Sequence, residues 1–534
     1  MLETAIIGGG LCGLALARSL RRQGRDFDVF EGRQRLGGRV LTVACQRSGL
    51  AIDLGASWFW PQNQPLVSAL VAELGLQAFP QHDQGVSLRL NDPDKKAEAL
   101  EVDGVHGGAH RLADGSQQLI TTLAKDLPAE KIHLGYMLTA LRDAGDHVIL
   151  SFQVGDQKIE VAARRVVLAL PPRLVEERVV CEPSLDETMK LTMRETPTWM
   201  AASAKAVMTY DGPIWRAAGQ SGNAFVTHEQ AVFDEIFDAC DMDTSKAALG
   251  GFVALGPDLR DAFAVGMPVL MQSQMQQVFG VGLGEDEQHY QDWAKEEATC
   301  STLDRESGRV EHSGLSNPLL RRAIWSQKLY FGGSETASRA AGYMEGALEA
   351  AQRIARDVLR ATQSAPSALP VTGGHEALNA DSLARFAIWV GAQADVAFDD
   401  YRRQLNAGLA AQQKEQLTQI AMLKAVEAIY ARALETLEAL PFNGKAAAVE
   451  QGRSVLTPLM QKPFGDFLRQ FFDDVVAFNR TSCALSNFPD EHHLAKEYEQ
   501  VILRDLAAAW KEFSLSANRL LLSKADVAEG ANAA

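Results

Sequence analysis

Residues 4–31 constrain the chain most. A short apolar run, Ala5-Ile6-Ile7, enters Gly8-Gly9-Gly10-Leu11-Cys12-Gly13, a GxGxxG string. Helical spacing follows, with Leu14, Leu16, Ala17 and Leu20 apolar and Arg18, Arg21 and Arg22 polar. A second strand-like run, Phe27-Asp28-Val29-Phe30, ends on Glu31. A glycine-rich turn alone says little. The order strand, turn, helix, strand, acid predicts a Rossmann-type α/β unit that binds a dinucleotide. Gly8 permits the tight turn, Gly10 lets backbone approach a pyrophosphate, and Gly13 lets the helix lie close on the strand. The helix N-terminus offers N–H groups and a positive dipole end to the phosphates. Glu31 is placed to accept hydrogen bonds from ribose hydroxyls and to disfavour a 2′-phosphate.

The rest of the composition narrows the class. The chain has 534 residues, 46% of them hydrophobic, which is enough for a large core and excludes disorder as the main state. Its net charge of −16 argues against a non-specific nucleic-acid binder. Six scattered cysteines without a CxxC pair predict reduced thiols, no metal site and a cytoplasmic setting. No signal peptide and no run of about 18 apolar residues is found, so no membrane association is expected.

Texture changes near residue 363. Before it, β-rich runs such as Val166-Val167-Leu168-Ala169-Leu170 and Lys328-Leu329-Tyr330-Phe331 alternate with helices and glycine turns. Residues 363–375 hold two prolines and two glycines and read as a linker. Beyond it, Leu383, Phe386, Val390, Phe398, Tyr401 and Leu405 form one helical stripe, and Leu417, Ile420, Ile429, Leu434 and Leu437 another. Breaks are expected near Asn406-Ala407-Gly408, Pro441-Phe442-Asn443-Gly444 and Asn487-Phe488-Pro489-Asp490, giving an all-α bundle.

Further strings extend the dinucleotide signature. Gly37-Gly38-Arg39 follows Glu31, and Asp53-Leu54-Gly55-Ala56-Ser57-Trp58 follows a short strand. Late in the unit come Phe331-Gly332-Gly333-Ser334-Glu335-Thr336 and Gly342-Tyr343-Met344-Glu345-Gly346-Ala347. Over residues 1–362 these strings resemble the flavin-containing amine oxidase family. The resemblance implies a Rossmann-type FAD-binding domain (1–70, 108–174 and 293–362) with an inserted α+β substrate-binding domain (71–107 and 175–292). The helical domain then spans 376–524. It implies FAD as cofactor, with Arg39 by the pyrophosphate and flavin, Glu335 on the ribityl or phosphate region, and Met344 against the ring. Gly38, Gly55, Ala56, Ser57, Trp58 and Gly333 would complete that surface, and Met137 would lie near the adenine.

By the same resemblance Lys205, in the apolar run Ala204–Tyr210, is the lysine that assists reoxidation by O2, and Tyr343 walls the amine site. Trp293 resembles the tryptophan before the flavin-edge segment. Counting onward from it, the covalent flavin cysteine of monoamine oxidases falls on Thr302 and the second aromatic wall on Leu303, while Cys300 lies two residues earlier. FAD is therefore expected to be non-covalent and the aromatic cage incomplete.

The expected reaction is oxidation of an amine to an imine, hydrolysed to an aldehyde plus ammonia or amine, with O2 reduced to H2O2. Two alternatives are an L-amino-acid oxidase, for which Arg194, Arg216 and Arg260 are candidate carboxylate binders, and a flavin-bound scaffold or escort protein. The helical domain is expected either to cover the substrate opening or to serve as a dimerisation or partner-docking module.

Overall fold

The computed structural model describes residues 1–100, 104–280, 287–308, 317–363, 374–410, 416–442, 449–450, 453–482, 485 and 488–523. The chain divides into two compact units, residues 1–365 and 366–534. Most of the expected linker, residues 364–373, lies outside the described residues.

In the first unit, strand β1 (Leu2–Ile7), helix α1 (Leu11–Arg22) and strand β2 (Phe27–Glu31) follow one another as the opening string requires. β1 lies between β2 and the strand Gln157–Leu168 and runs parallel to both. The strand Ile132–Leu134 extends the parallel array beyond β2, and Leu329–Phe331 extends it beyond Gln157–Leu168. The chain thus leaves β1 in both directions, which makes the end of β1 a topological switch point, where open α/β sheets bind ligands. Alternate residues of β1 serve opposite faces: Ile6 joins one apolar cluster and Ala5 and Ile7 another. A strand covered on both faces must be apolar throughout, and the run Ala5-Ile6-Ile7 is.

Helix α1 presents Leu14, Leu16, Ala17 and Leu20 to a core shared with Ala350, Ala351, Ile354 and Val358 of the helix Met344–Gln363. Leu14 is fully buried there. Its truncation to alanine removes packing worth about 2–5 kcal/mol.

A second sheet has seven strands in the order Gln288–Asp292, Ala204–Tyr210, Ala247–Val253, Phe233–Asp238, Gln220–Val226, Val86–Leu90 and Glu98–Leu100. Along Ala204–Tyr210 the side chains alternate. Ala204, Ala206, Met208 and Tyr210 join a core with Met267, Met271 and Met275 of the helix Met267–Phe279. Val207 points the other way, into a cluster with Leu54 and Phe237. Two-residue periodicity therefore places Lys205 on that second face.

The second unit is helical, with long helices Gly374–Gly391, Ala394–Ala410, Leu417–Ala439, Phe464–Asn479 and Lys496–Ser523. Phe386, Val390, Phe398, Tyr401, Leu405, Leu417, Ile429 and Leu437 share its core. The break expected near Asn406-Ala407-Gly408 falls slightly later: the helix Ala394–Ala410 runs through those three residues and ends two residues beyond them, and the next helix begins at Leu417. The buried Glu491 carboxylate accepts the N–H groups of Leu417 and Thr418 at 2.8 and 2.9 Å, capping the helix Leu417–Ala439 from a distant segment.

Candidate active site

The parallel strands of the first sheet end around one cavity of about 680 Å³. Gly8 and Gly10 after β1, Glu31 at the end of β2, Leu170 and Pro171 after Gln157–Leu168, and Gly333 after Leu329–Phe331 all line it. The glycines divide the work. A Cβ on Gly13 would stand 2.0 Å from the Gly8 carbonyl oxygen, so Gly13 serves helix packing and lies outside the cavity wall. A Cβ on Gly10 would meet no protein atom nearer than 3.9 Å, so the space beside it is cavity. That gap lies at the N-terminus of α1, where a phosphate is attracted. Glu31 is buried, and its carboxylate accepts the N–H groups of Gly9 and Arg33 at 2.7 and 2.9 Å, so it shapes the phosphate loop while lining the cavity. Gly38, Gly55, Ala56, Met137 and Met344 line the same space. Its volume, open glycine and strand-end acid fit a dinucleotide the size of FAD.

Arg39 also lines the cavity, and Glu335 does not. The Glu335 carboxylate takes a two-pronged hydrogen bond from the Arg39 guanidinium at 2.6 and 2.9 Å, and Ser334 Oγ adds a third donor. Burial is the largest single influence and works to raise the Glu335 carboxyl, but the Arg39 charge together with the hydrogen bonds from Arg39 and Ser334 outweighs it and holds the group below its usual range. Glu335 therefore holds Arg39 in place from behind the cavity lining. The pair also grips Trp199 by its main chain. Arg39 donates to the Trp199 carbonyl at 2.9 Å, and the Trp199 N–H donates to Glu335 at 3.2 Å.

Lys205 is buried and lines the cavity from the second sheet. Its Nζ lies 5.3, 5.1 and 5.6 Å from the ring centroids of Trp58, Phe237 and Phe252. It donates to the Gly55 carbonyl at 3.2 Å and to the Ser57 hydroxyl. Burial is the main influence and brings the ammonium down to about 7. The turn that supplies Gly55 and Ser57 is locked by Asp53, whose carboxylate accepts from Thr42, from the Ser116 N–H and from the Ser116 hydroxyl. A lysine so placed changes charge near neutrality inside a cavity wall.

Aromatic side chains make the remaining wall. Tyr343 lies 6.2 Å from Trp199 and 6.3 Å from Trp60, ring centre to ring centre, and all three line the cavity with Trp58 and Trp293. Trp293 is fixed by donating to the Leu54 carbonyl at 3.1 Å. Leu303 lies outside the wall and is 38% exposed. Ser301 and Asp304 form a capping box there, start the helix Thr302–Ser307 and carry Leu303 away. Sequence reasoning missed Trp199, Trp60 and His106. Trp60 follows Trp58 by two residues in the same string, a signal that was available, whereas nothing local marks Trp199 or His106.

Other candidates fall elsewhere. Cys300 is buried outside the cavity lining, and burial pushes its thiol up to about 11. Arg216 pairs with Asp238, Arg260 with Asp292 and Arg194 with Glu176, and none of the three lines the cavity. Cys45, Glu287 and His289 bring ligand-type atoms within 4.8 Å of one another. There Cys45 donates to Glu287, which also accepts the Gln46 N–H, so the group closes a turn. No described helix is long and apolar enough to cross a membrane.

Comparison with known proteins agrees with this geometry. The family model of flavin containing amine oxidoreductases matches residues 94–359, and that of an NAD(P)-binding Rossmann-like domain matches residues 6–74. Flavin-containing amine oxidase A of Equus caballus is 22% identical over 465 residues, covering 68% of this chain and 85% of its own. Flavin-containing amine oxidase B of Homo sapiens is 22% identical over 468 residues, covering 68% and 87%. Wild-type putrescine oxidase bound to putrescine shares the fold, with a TM-score of 0.55 at 19% identity over 67% of this chain and 99% of that one. Cyclohexylamine oxidase from Brevibacterium oxydans does so with a TM-score of 0.55 at 17% identity over 68% and 99%.

Proposed function

The chain belongs to the flavin-containing amine oxidoreductase family, with FAD as its cofactor, and we propose from that premise that it oxidises a primary or secondary amine at the expense of O2. The observation that carries the reading is one cavity shared by the dinucleotide crevice of the first sheet and the Lys205 cage of the second. The amine loses two electrons and two protons to become an imine, and O2 gains them as H2O2. Water then splits the imine into an aldehyde, or a ketone, and ammonia or a smaller amine.

Gly10, Glu31, Arg39 and Met137 would hold FAD, and the group when bound supplies the hydride acceptor and the route of electrons to O2. The protein supplies binding, orientation and electrostatics. Tyr343, Trp199 and Trp60 exclude water and favour a cationic or apolar amine through their ring faces. Lys205 Nζ, ionising near 7, carries a proton to the buried wall and in its charged form favours negative charge that develops on O2. Cys300 stands outside the cavity with its thiol protonated, which supports non-covalent attachment. The first unit is then an FAD-binding half built on the parallel sheet and a substrate-binding half built on the second sheet.

The test is a peroxide-coupled assay of purified protein against aliphatic amines, aromatic amines, diamines and L-amino acids. Peroxide with an amine supports the reading. Turnover confined to L-amino acids would overturn it, and the three paired arginines argue against that outcome.

A further inference from the structure

His106 lines the cavity and is buried, and its Nε2 is buried without a hydrogen-bond partner among the described residues. The other ring nitrogen is committed. Nδ1 lies 2.6 Å from Asp83 Oδ1, and the His106 N–H donates to Asp83 Oδ2 at 3.0 Å. Asn223 donates to the same carboxylate at 2.9 Å. Burial works to raise the Asp83 carboxyl, but these donors outweigh it and keep it below its usual range. An ionised carboxylate only accepts, so Nδ1 carries the hydrogen, and the neutral form of the ring presents a lone pair at Nε2. Trp60 Nε1 anchors the His106 carbonyl at 2.8 Å, and the Trp58 ring lies 5.0 Å from the imidazole. A buried acceptor with no donor costs about 1–3 kcal/mol, so its persistence in a cavity wall points to a ligand that donates.

We propose that His106 is a substrate-recognition residue whose Nε2 accepts an N–H from a cationic amine, with Asp83 positioning the ring. The inference deepens the amine-oxidase reading and rests on it. The surroundings suit such a guest: Trp58 and Trp60 offer ring faces to a cation, and Glu235 lines the same cavity. The class it selects is amines that keep an N–H in the charged form, while quaternary ammonium ions of the same size are excluded.

Two near-isosteric cations test this on the oxidised holoenzyme. tert-Butylammonium carries three N–H donors and has no α-hydrogen to be oxidised, whereas tetramethylammonium has no donor. Binding is measured by calorimetry. Wild type is expected to bind tert-butylammonium about tenfold or more tightly than tetramethylammonium, the worth of one hydrogen bond to a charged group. His106→Phe should bind both alike, and His106→Gln, which keeps an acceptor near the Nε2 position, should recover part of the difference. Asp83→Asn, which can present a donor to Nδ1, should reduce discrimination and raise KM more than it lowers kcat. Equal binding by wild type, no binding of either ion, or full discrimination in His106→Phe would overturn the inference. The peroxide assay stands apart: wild type that turns over amines but fails this test loses only the His106 role.

Discussion

Replacing Lys205 with methionine should remove a specific slope from the pH dependence of stability. The ordinary lysine value of 10.5 falls to about 7 in the folded protein, chiefly by burial. At ~1.4 kcal/mol per unit, holding the charged form costs about 5 kcal/mol. Below pH about 7 both folded and unfolded chains carry the proton, and the cost is fully present. Between about 7 and 10.5 the unfolded chain keeps a proton that the folded chain has released, so stability rises by ~1.4 kcal/mol per pH unit.

Lys205→Met relieves the cost but leaves the Gly55 carbonyl and the Ser57 hydroxyl without their donor, each worth about 1–3 kcal/mol. Near neutrality the two effects largely offset, so the slope rather than the midpoint is diagnostic. Urea unfolding of the oxidised holoenzyme, followed by flavin fluorescence, reports the first unit. From about pH 7 to about pH 9 wild type should gain about 2 kcal/mol relative to Lys205→Met. Parallel curves for the two proteins would refute the assignment of a depressed, buried lysine.

Other substitutions separate cofactor binding from folding. Gly10→Ala should fold normally and lose flavin affinity, whereas Gly13→Ala should lower the melting temperature because its Cβ strikes the Gly8 carbonyl. Differential scanning calorimetry with flavin titration distinguishes them. Glu335→Gln breaks a buried pair and should cost about 3–5 kcal/mol of stability together with flavin retention, and Arg39→Lys should fare little better because lysine cannot fork. Cys300→Ser should leave flavin release unchanged, with flavin in the acid supernatant of both proteins. Flavin that stays with precipitated wild type and leaves Cys300→Ser would show a covalent link.

What was legible in the sequence follows the range of the interactions. The GxGxxG turn, α1 and Glu31 explain one another within thirty residues, and so could be read directly. Lys205 was legible as a lone charge in an apolar strand, although its cage was not, because Trp58 and Phe252 reach it from other parts of the chain. Trp199 is placed by Arg39 and Glu335, which lie far from it in sequence. His106 is placed by Asp83, held in turn by Asn223 from a third segment. Leu303 was placed by counting from Trp293 along the family pattern, and the Ser301-x-x-Asp304 cap that starts a helix there is itself a local signal. Glu335 shows a third limit: the string around it marks an acid, but not that its partner is Arg39, 296 residues away in sequence.

The most direct measurement is anaerobic titration of the purified yellow protein with an amine panel, following loss of the visible flavin band, then admission of air with peroxide assay. The account predicts bleaching by at least one amine and return of colour with stoichiometric H2O2. A flavin that no amine bleaches, or one that bleaches and is not reoxidised by O2, would contradict it.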